Sequence, residues 1–138
     1  MNAVTARSVG EAMTRGLITV RTSALVYEAA QLMDAHRVHG LPVLDADGAI
    51  VGVVSQSDLL RANLDGHLWK NLPRLEVCQV MTSPAITVSL NMPLDDAAKL
   101  MEEQHVHRLV VVGSDGETPV GVLSVTDVVH VMAGPERS

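Results

Sequence analysis

Apolar and polar positions switch between strand-like and helical spacing along the chain. After a β-branched trio, Ile18-Thr19-Val20, the apolar residues recur three or four positions apart, which predicts an amphipathic helix. Two apolar runs follow, Leu41 to Leu44 and Ala49 to Val54, separated by a turn that ends in Asp47-Gly48. These runs predict a β-hairpin. Because proline has no N–H to donate, we expect Pro42 at the beginning of its strand or on a sheet edge.

The second run of the hairpin continues directly into a predicted helix. This stretch, Gly52 to Asp58, has the sequence GVVSQSD, in which Ser55 and Asp58 have the spacing of a capping box worth about 1 kcal/mol. A helix start also has unpaired N–H groups and the positive end of the helix dipole, which suit a phosphate, and a carboxylate there can accept bonds from sugar hydroxyls. On this stretch alone the capping box is the favoured interpretation and the anion site is the alternative.

The same order of patterns returns in the second half of the chain. Met13-Thr14 recurs as Met81-Thr82, 68 positions later, and Gly52 to Asp58 recurs as Gly121 to Asp127, 69 positions later. The extra position indicates one more residue in the second hairpin turn. Each copy predicts the order β-α-β-β-α, and the fold class is α+β (mixed α/β). Each copy alone has a small core and an open sheet edge, so we expect a pseudo-two-fold axis relating the copies.

Breakers and composition divide the chain into four parts. We predict a first repeat with the N-terminal segment (1–62), a linker (63–76), a second repeat (77–132) and a tail (133–138). Trp69 is expected to pack over the junction between the repeats. The tail is expected to fray.

Composition narrows the classes of function. Aromatic residues make up 1% of the chain and the net charge is -6, which argues against base stacking, non-specific nucleic-acid binding and an anionic membrane surface. No leader and no membrane span are predicted, and the single cysteine, Cys78, fits a reducing cytosol. We therefore predict a cytoplasmic protein in which Cys78 is a small packing residue. No catalytic constellation and no cluster of metal ligands is present, so an enzyme or a metal protein is not expected.

These motifs together resemble the tandem CBS domain pair, or Bateman module. Each half has M-T before a strand, a helix with A-A-x-L-M, a hairpin ending in D-G, and G-h-h-S-x-[ST]-D, where h is hydrophobic, and the match covers about Val9 to Val129. The resemblance implies two repeats packed sheet to sheet with helices outside and two clefts for adenosyl ligands. AMP, ADP or ATP is the expected ligand, S-adenosylmethionine is possible, and no cofactor is required. It further implies a regulatory homodimer that signals to a separate, unidentified effector protein.

The resemblance also assigns roles to residues in both copies. It implies ribose contacts from Asp58 and Asp127, base contacts around Ile18 and Ile86, and phosphate contacts from the remaining residues: Ser55, Ser57, Arg37 and His39 in the first copy, and Ser124, Thr126, His107 and Arg108 in the second.

The copies differ where the family has a phosphate-binding arginine. Arg108 occupies that position in the second copy, whereas Gly40 occupies it in the first. Because arginine can bind phosphate in a bidentate manner, we expect the site of Arg108 and Asp127 to bind the ligand better. Two alternatives remain open: His107 and Arg108 are simply solvated, or the chain is an assembly module that binds no nucleotide.

Overall fold

The computed structural model describes residues 4, 7–14, 16–66 and 72–134. The predictions for Trp69 and for the tail from 135 onward lie outside the described residues. The predicted class is confirmed: the described residues form a mixed α+β structure with two three-stranded sheets.

The chain divides into two compact units that differ from the division expected along the sequence. The first-copy unit comprises Ile18–Ala85, and the second-copy unit comprises Met1–Leu17 together with Ile86–Ser138. The N-terminal segment was expected with the first repeat, but it belongs to the unit of the second. The start of the second repeat, up to Ala85, correspondingly belongs to the first-copy unit.

Backbone hydrogen bonds explain this grouping. The short helix α1 (Val9–Ala12) starts with a capping box, in which Ser8 N–H donates to Glu11 over 3.0 Å and lowers the pKa of Glu11. Val9 N–H donates to Met92 O over 2.9 Å, and the Val9 side chain is fully buried in the core of the second-copy unit. Burial of this apolar turn fixes the N-terminal segment to the second repeat.

The first-copy unit has one sheet of strand order β1-β2-β3. Strands β1 and β2 are parallel, β2 and β3 are antiparallel, and Val77 is buried in the core. In chain order its elements are β1 (Val20–Arg21), α2 (Val26–His36), β2 (Gly40–Leu44), β3 (Ile50–Ser55), α3 (Gln56–Leu64) and the 3-10 turns Leu72–Arg74 and Val77–Gln79.

The second-copy unit repeats this arrangement with the order β4-β5-β6. Its remaining elements are β4 (Thr87–Ser89), α4 (Leu94–Gln104), β5 (Arg108–Val112), β6 (Pro119–Ser124) and α5 (Val125–Met132). The extra residue of the second hairpin is confirmed: Gly113 N–H donates to Thr118 O, whereas the first turn closes from Asp45 N–H to Ala49 O, one residue sooner.

Two smaller expectations are wrong. Pro42 lies in the middle of the central strand β2 and is fully buried. Its neighbour across the ladder, Val53, directs its N–H away to Thr82 O, so no hydrogen bond between β2 and β3 is lost at Pro42. Cys78 is exposed rather than packed, because the 3-10 turn buries Val77 instead.

Candidate functional site

In the second-copy unit, a carboxylate is held at the start of α5. Strand β6 ends at Ser124, whose N–H donates to Asp127 Oδ2 over 2.9 Å, while Asp127 N–H donates to Ser124 Oγ over 3.2 Å. Thr14 Oγ1 donates to Asp127 Oδ1 over 3.2 Å. The capping box therefore fixes a half-buried carboxylate beside the positive end of a helix.

Backbone contacts bring the other predicted residues of this copy to the same corner. Arg108 pairs with Ser124 across the β5–β6 ladder, and His107 O accepts from Val125 N–H over 3.0 Å. Ile86 O accepts from Val110 N–H over 3.0 Å, which places Ile86 beside β5, two residues beyond Arg108. Thr126 is exposed on the first turn of α5. All six residues predicted for the second copy thus lie in one unit around a strand-to-helix junction.

The equivalent carboxylate of the first-copy unit, Asp58, is enclosed. It accepts from Ser55 N–H over 2.8 Å, from Ser55 Oγ over 3.0 Å and from Thr82 Oγ1 over 3.2 Å. Arg61, one turn along α3, makes a charge-assisted hydrogen bond and ion pair with Asp58 Oδ1. Asp58 is 3% exposed, so these donors replace water around a buried charge.

The other first-copy residues are less closely gathered. His39 O accepts from Gln56 N–H over 3.0 Å, and Ser57 is exposed on the first turn of α3. Arg37 ends α2 in a left-handed conformation with φ of 55° and is exposed. None of the hydrogen bonds or ion pairs described for this unit joins Arg37 to Ser55, Ser57 or Asp58.

The base-contact positions also differ between copies. Val110 N–H holds the carbonyl of Ile86, but Pro42, at the equivalent position, has no N–H to offer Ile18. Strand β1 accordingly begins at Val20, two residues after Ile18, whereas β4 begins at Thr87, one residue after Ile86. The backbone around Ile18 therefore lacks the strand contact that orders Ile86.

Sequence reasoning missed Thr14 and Thr82 as site residues. Each threonine hydroxyl donates to the carboxylate of its unit, and each threonine also pairs by backbone with the last strand of that unit, at Val122 and Val53. The repeated Met-Thr dipeptide was the available signal. Its threonine carries a donor that the carboxylate at the start of a helix can use.

The described part of the chain contains neither a cluster of metal ligands nor a helix that could span a membrane. Residues 7–14, 16–66 and 72–134 contain no group of three or more histidine, cysteine or acidic side chains that could hold a metal ion. Over the same residues, every helix is too short or too polar to cross a membrane.

Comparison with known proteins identifies the family. The family model described as "CBS domain" matches residues 9–65 and 77–134. The chain belongs to the CBS domain family and contains two CBS domains in tandem, as the motifs predicted.

The chain is similar to two named plant members of this family. It is 32% identical to the chloroplastic CBS domain-containing protein CBSX1 of Arabidopsis thaliana, over 95% of this chain and 66% of the plant protein. It also spans 62% of the chloroplastic CBSX2 of the same plant. The chain therefore covers just under two thirds of these first two curated relatives.

Two solved structures carry nucleotides. CBSX2 in complex with AMP has a TM-score of 0.76 and 33% identity, covering 95% of this chain and 99% of that one. The CBS domain of a bacterial CNNM/CorC family Mg2+ transporter in complex with ATP has a TM-score of 0.75 and 26% identity, covering 95% and 90%. Proteins of the same fold and related sequence therefore bind adenine nucleotides.

Proposed function

We propose that the chain is a regulatory module that binds an adenosyl ligand of the AMP, ADP or ATP type and signals to a separate protein. The observation that carries this proposal is the half-exposed carboxylate of Asp127 at the start of α5, with Arg108 and His107 at the neighbouring strand entry. A carboxylate accepts from a ribose diol, while the helix start and the arginine attract phosphate. The AMP complex of CBSX2 supports the choice of ligand.

Within this proposal, each second-copy residue has a distinct task. Asp127 binds the ribose hydroxyls, Arg108 and His107 attract the phosphate, and Ile86 flanks the base. Ser124 holds Asp127 in place as the helix cap, because its N–H and its Oγ are both engaged with that residue. Thr126 is exposed on the first turn and can donate to the phosphate.

Thermal unfolding with AMP, ADP, ATP, S-adenosylmethionine and NAD, each with and without Mg2+, tests the proposal. A ligand at about 100 times its dissociation constant should stabilise the folded chain by about 2.7 kcal/mol. Asp127→Ala should abolish the shift, and Asp96→Ala, which removes an exposed acid from the first turn of α4, is the matched control. A shift that survives Asp127→Ala would contradict the assignment of the ribose contact.

Arg108→Ala tests the phosphate contact separately. AMP affinity, measured by titration calorimetry, should fall by about tenfold or more, since a charge-assisted bond contributes about 1.5–3 kcal/mol. Adenosine affinity should change much less, because adenosine has no phosphate. Lys99→Ala removes an exposed positive charge from α4 and is the control. Equal AMP affinity in Arg108→Ala and in the parent would show that Arg108 does not bind the phosphate.

A second candidate function, assembly through a protein surface, is favoured by exposed apolar residues. On α5 these are Val125, Val129 and Met132, with Met132 at 66% exposure. They border a groove of about 370 Å³ between α4 and α5. On α3, Leu60 and Leu64 are similarly exposed.

A homodimer would bury such a surface, as the family resemblance implies. Sedimentation or light scattering should then give a dimer mass for the parent and a monomer for Val129→Glu, with Gln104→Glu on α4 as control. A monomeric parent with no nucleotide-dependent shift would contradict both candidate functions.

A further inference from the structure

The first-copy carboxylate, Asp58, is ion-paired with an arginine of its own unit, whereas no ion pair is described for the second-copy carboxylate, Asp127. Arg61 lies one turn after Asp58 on α3, and its guanidinium pairs with Asp58 Oδ1. The Arg61 side chain is 68% exposed, whereas that of Asp58 is 2% exposed. An exposed cation therefore covers a buried anion.

The two carboxylates differ in how many acceptor positions are in use. An ionised carboxylate offers about four lone-pair positions. Asp58 accepts from four donors: Ser55 N–H, Ser55 Oγ, Thr82 Oγ1 and Arg61. The hydrogen bonds described for Asp127 come from Ser124 N–H and from Thr14 Oγ1, whose bond is shared between both oxygens. A sugar diol can bond to Asp127 directly, but at Asp58 it must displace a donor.

Arg61 is the donor that can leave at the lowest cost. Ser55 belongs to the helix cap, and Thr82 is held by two backbone hydrogen bonds with Val53, of 2.9 and 2.8 Å. The Arg61 guanidinium is anchored only by its own flexible side chain and can return to water. The availability of Asp58 to a ligand is therefore decided by one side chain.

The second copy shows the open alternative. By the shift that relates Gly52 to Gly121, the residue equivalent to Arg61 is His130, which is exposed. Among the contacts described for the second-copy unit, none joins His130 to Asp127. The same capping box is thus covered in one copy and uncovered in the other.

We propose that Arg61 is a specificity-determining residue that closes the first-copy site to ribose, so that the chain binds its adenosyl ligand at Asp127 alone. The inference rests on the proposed function. It adds that one site per chain is occupied and that Arg61 controls access to the other. Because the Arg61 side chain lies at the surface, its substitution uncovers Asp58 without altering the core.

Reciprocal exchange of the two side chains tests the proposal. Titration calorimetry with AMP should give about one site per chain for the parent and about two for Arg61→His. His130→Arg should weaken the binding of the parent's single AMP by about tenfold or more. Asp127→Ala should remove this binding, and the double variant Asp127→Ala with Arg61→His should regain about one site. Unfolding temperatures of all variants establish that they remain folded.

Arg74→His, an exposed arginine in the 3-10 turn of the same unit, is the matched control and should leave the stoichiometry unchanged. Two AMP molecules bound by the parent, or no added site in Arg61→His, would overturn the role of Arg61 and leave the proposed function intact. Absence of binding by both the parent and Arg61→His would overturn both proposals.

Discussion

Asp58 and Asp127 stand at the same point of two equivalent units, but only Asp58 is closed off. Both follow a strand that ends in serine, both complete a capping box and both accept from a threonine hydroxyl. The difference comes from the residue one turn later, Arg61 in one copy and His130 in the other. Both units thus have the same scaffold around the carboxylate, whereas the residue one turn later, outside the repeated motif, is an arginine paired with the carboxylate in the first copy and an exposed histidine in the second.

A second difference lies where the central strand of each sheet meets the residues that precede the first strand. Val110 donates to Ile86 O, while Pro42 leaves Ile18 without that donor. Within the proposed function, the first change would weaken the ribose contact of the first copy and the second would weaken its base contact. Four sets of substitutions test these differences.

The largest effect is expected at the glycines that let the Met-Thr segment approach each sheet. A Cβ on Gly52 would lie 2.7 Å from Thr82 O, and a Cβ on Gly121 would lie 2.7 Å from Thr14 O. Gly52→Ala and Gly121→Ala should each destabilise the chain by about 1–3 kcal/mol, measured by urea unfolding, because a buried backbone must shift. Gly66→Ala, which meets no atom within 4 Å, is the control. A loss in only one copy would contradict the equivalence of the scaffolds.

The two carboxylates should differ next in stability. Asp58→Ala should cost about 2 kcal/mol, because it leaves buried donors and the Arg61 cation without their partner. Asp127→Ala should cost about 1 kcal/mol, because it removes the N3 side chain of the capping box. Both values can be read from urea unfolding, with exposed Asp34→Ala as control. Equal losses would show that the enclosure of Asp58 adds no stability.

Replacing Pro42 should change protection of the local backbone against hydrogen exchange more than the free energy of unfolding of the whole chain. Pro42→Val restores an N–H opposite Ile18, and its hydrogen bond, of about 1 kcal/mol, is offset by the entropy that the unfolded chain regains without proline. Hydrogen exchange should show a protected amide at position 42 of the variant, comparable with that of Val110 in the parent. Rapid exchange at position 42 would mean that β1 does not extend to Ile18.

The smallest effect concerns the two hairpin turns. The Thr118 hydroxyl, together with the N–H groups of Glu117 and Thr118, lowers the pKa of Asp115 from 3.8 to about 2. Asp45 of the first turn accepts from the N–H groups of Asp47 and Ala49. Thr118→Val should raise the pKa of Asp115 towards 3.8, measured by NMR titration of the carboxyl group.

The sign of the accompanying pH dependence follows from the lowered pKa. A carboxyl with a lowered folded-state pKa contributes stability above its unfolded pKa and loses it as the pH falls. The contribution of Asp115 to the stability of the parent is therefore lost as the pH falls from about 3.8 to about 2. Thr118→Val should narrow this window, and Ser114→Ala in the same turn is the control. An unchanged Asp115 titration would mean that the backbone donors alone set its pKa.

The repeated order of elements, the extra turn residue, the capping boxes and the family could all be predicted from the sequence. These features depend on local spacing and on residues close in the chain, and they are easier to recognise because the pattern occurs twice. The three-dimensional fold determines which repeat each Met-Thr segment completes. The two segments have the same local signature, and their partners are distinguished by burial of Val9 and Val77 and by the backbone pairing of Thr14 and Thr82. The fold also determines that Pro42 is tolerated in a central strand, since this depends on where the N–H of Val53 points. The covering of Asp58 by Arg61 was equally beyond the sequence, because a charge one turn away on a helix can face either solvent or the carboxylate.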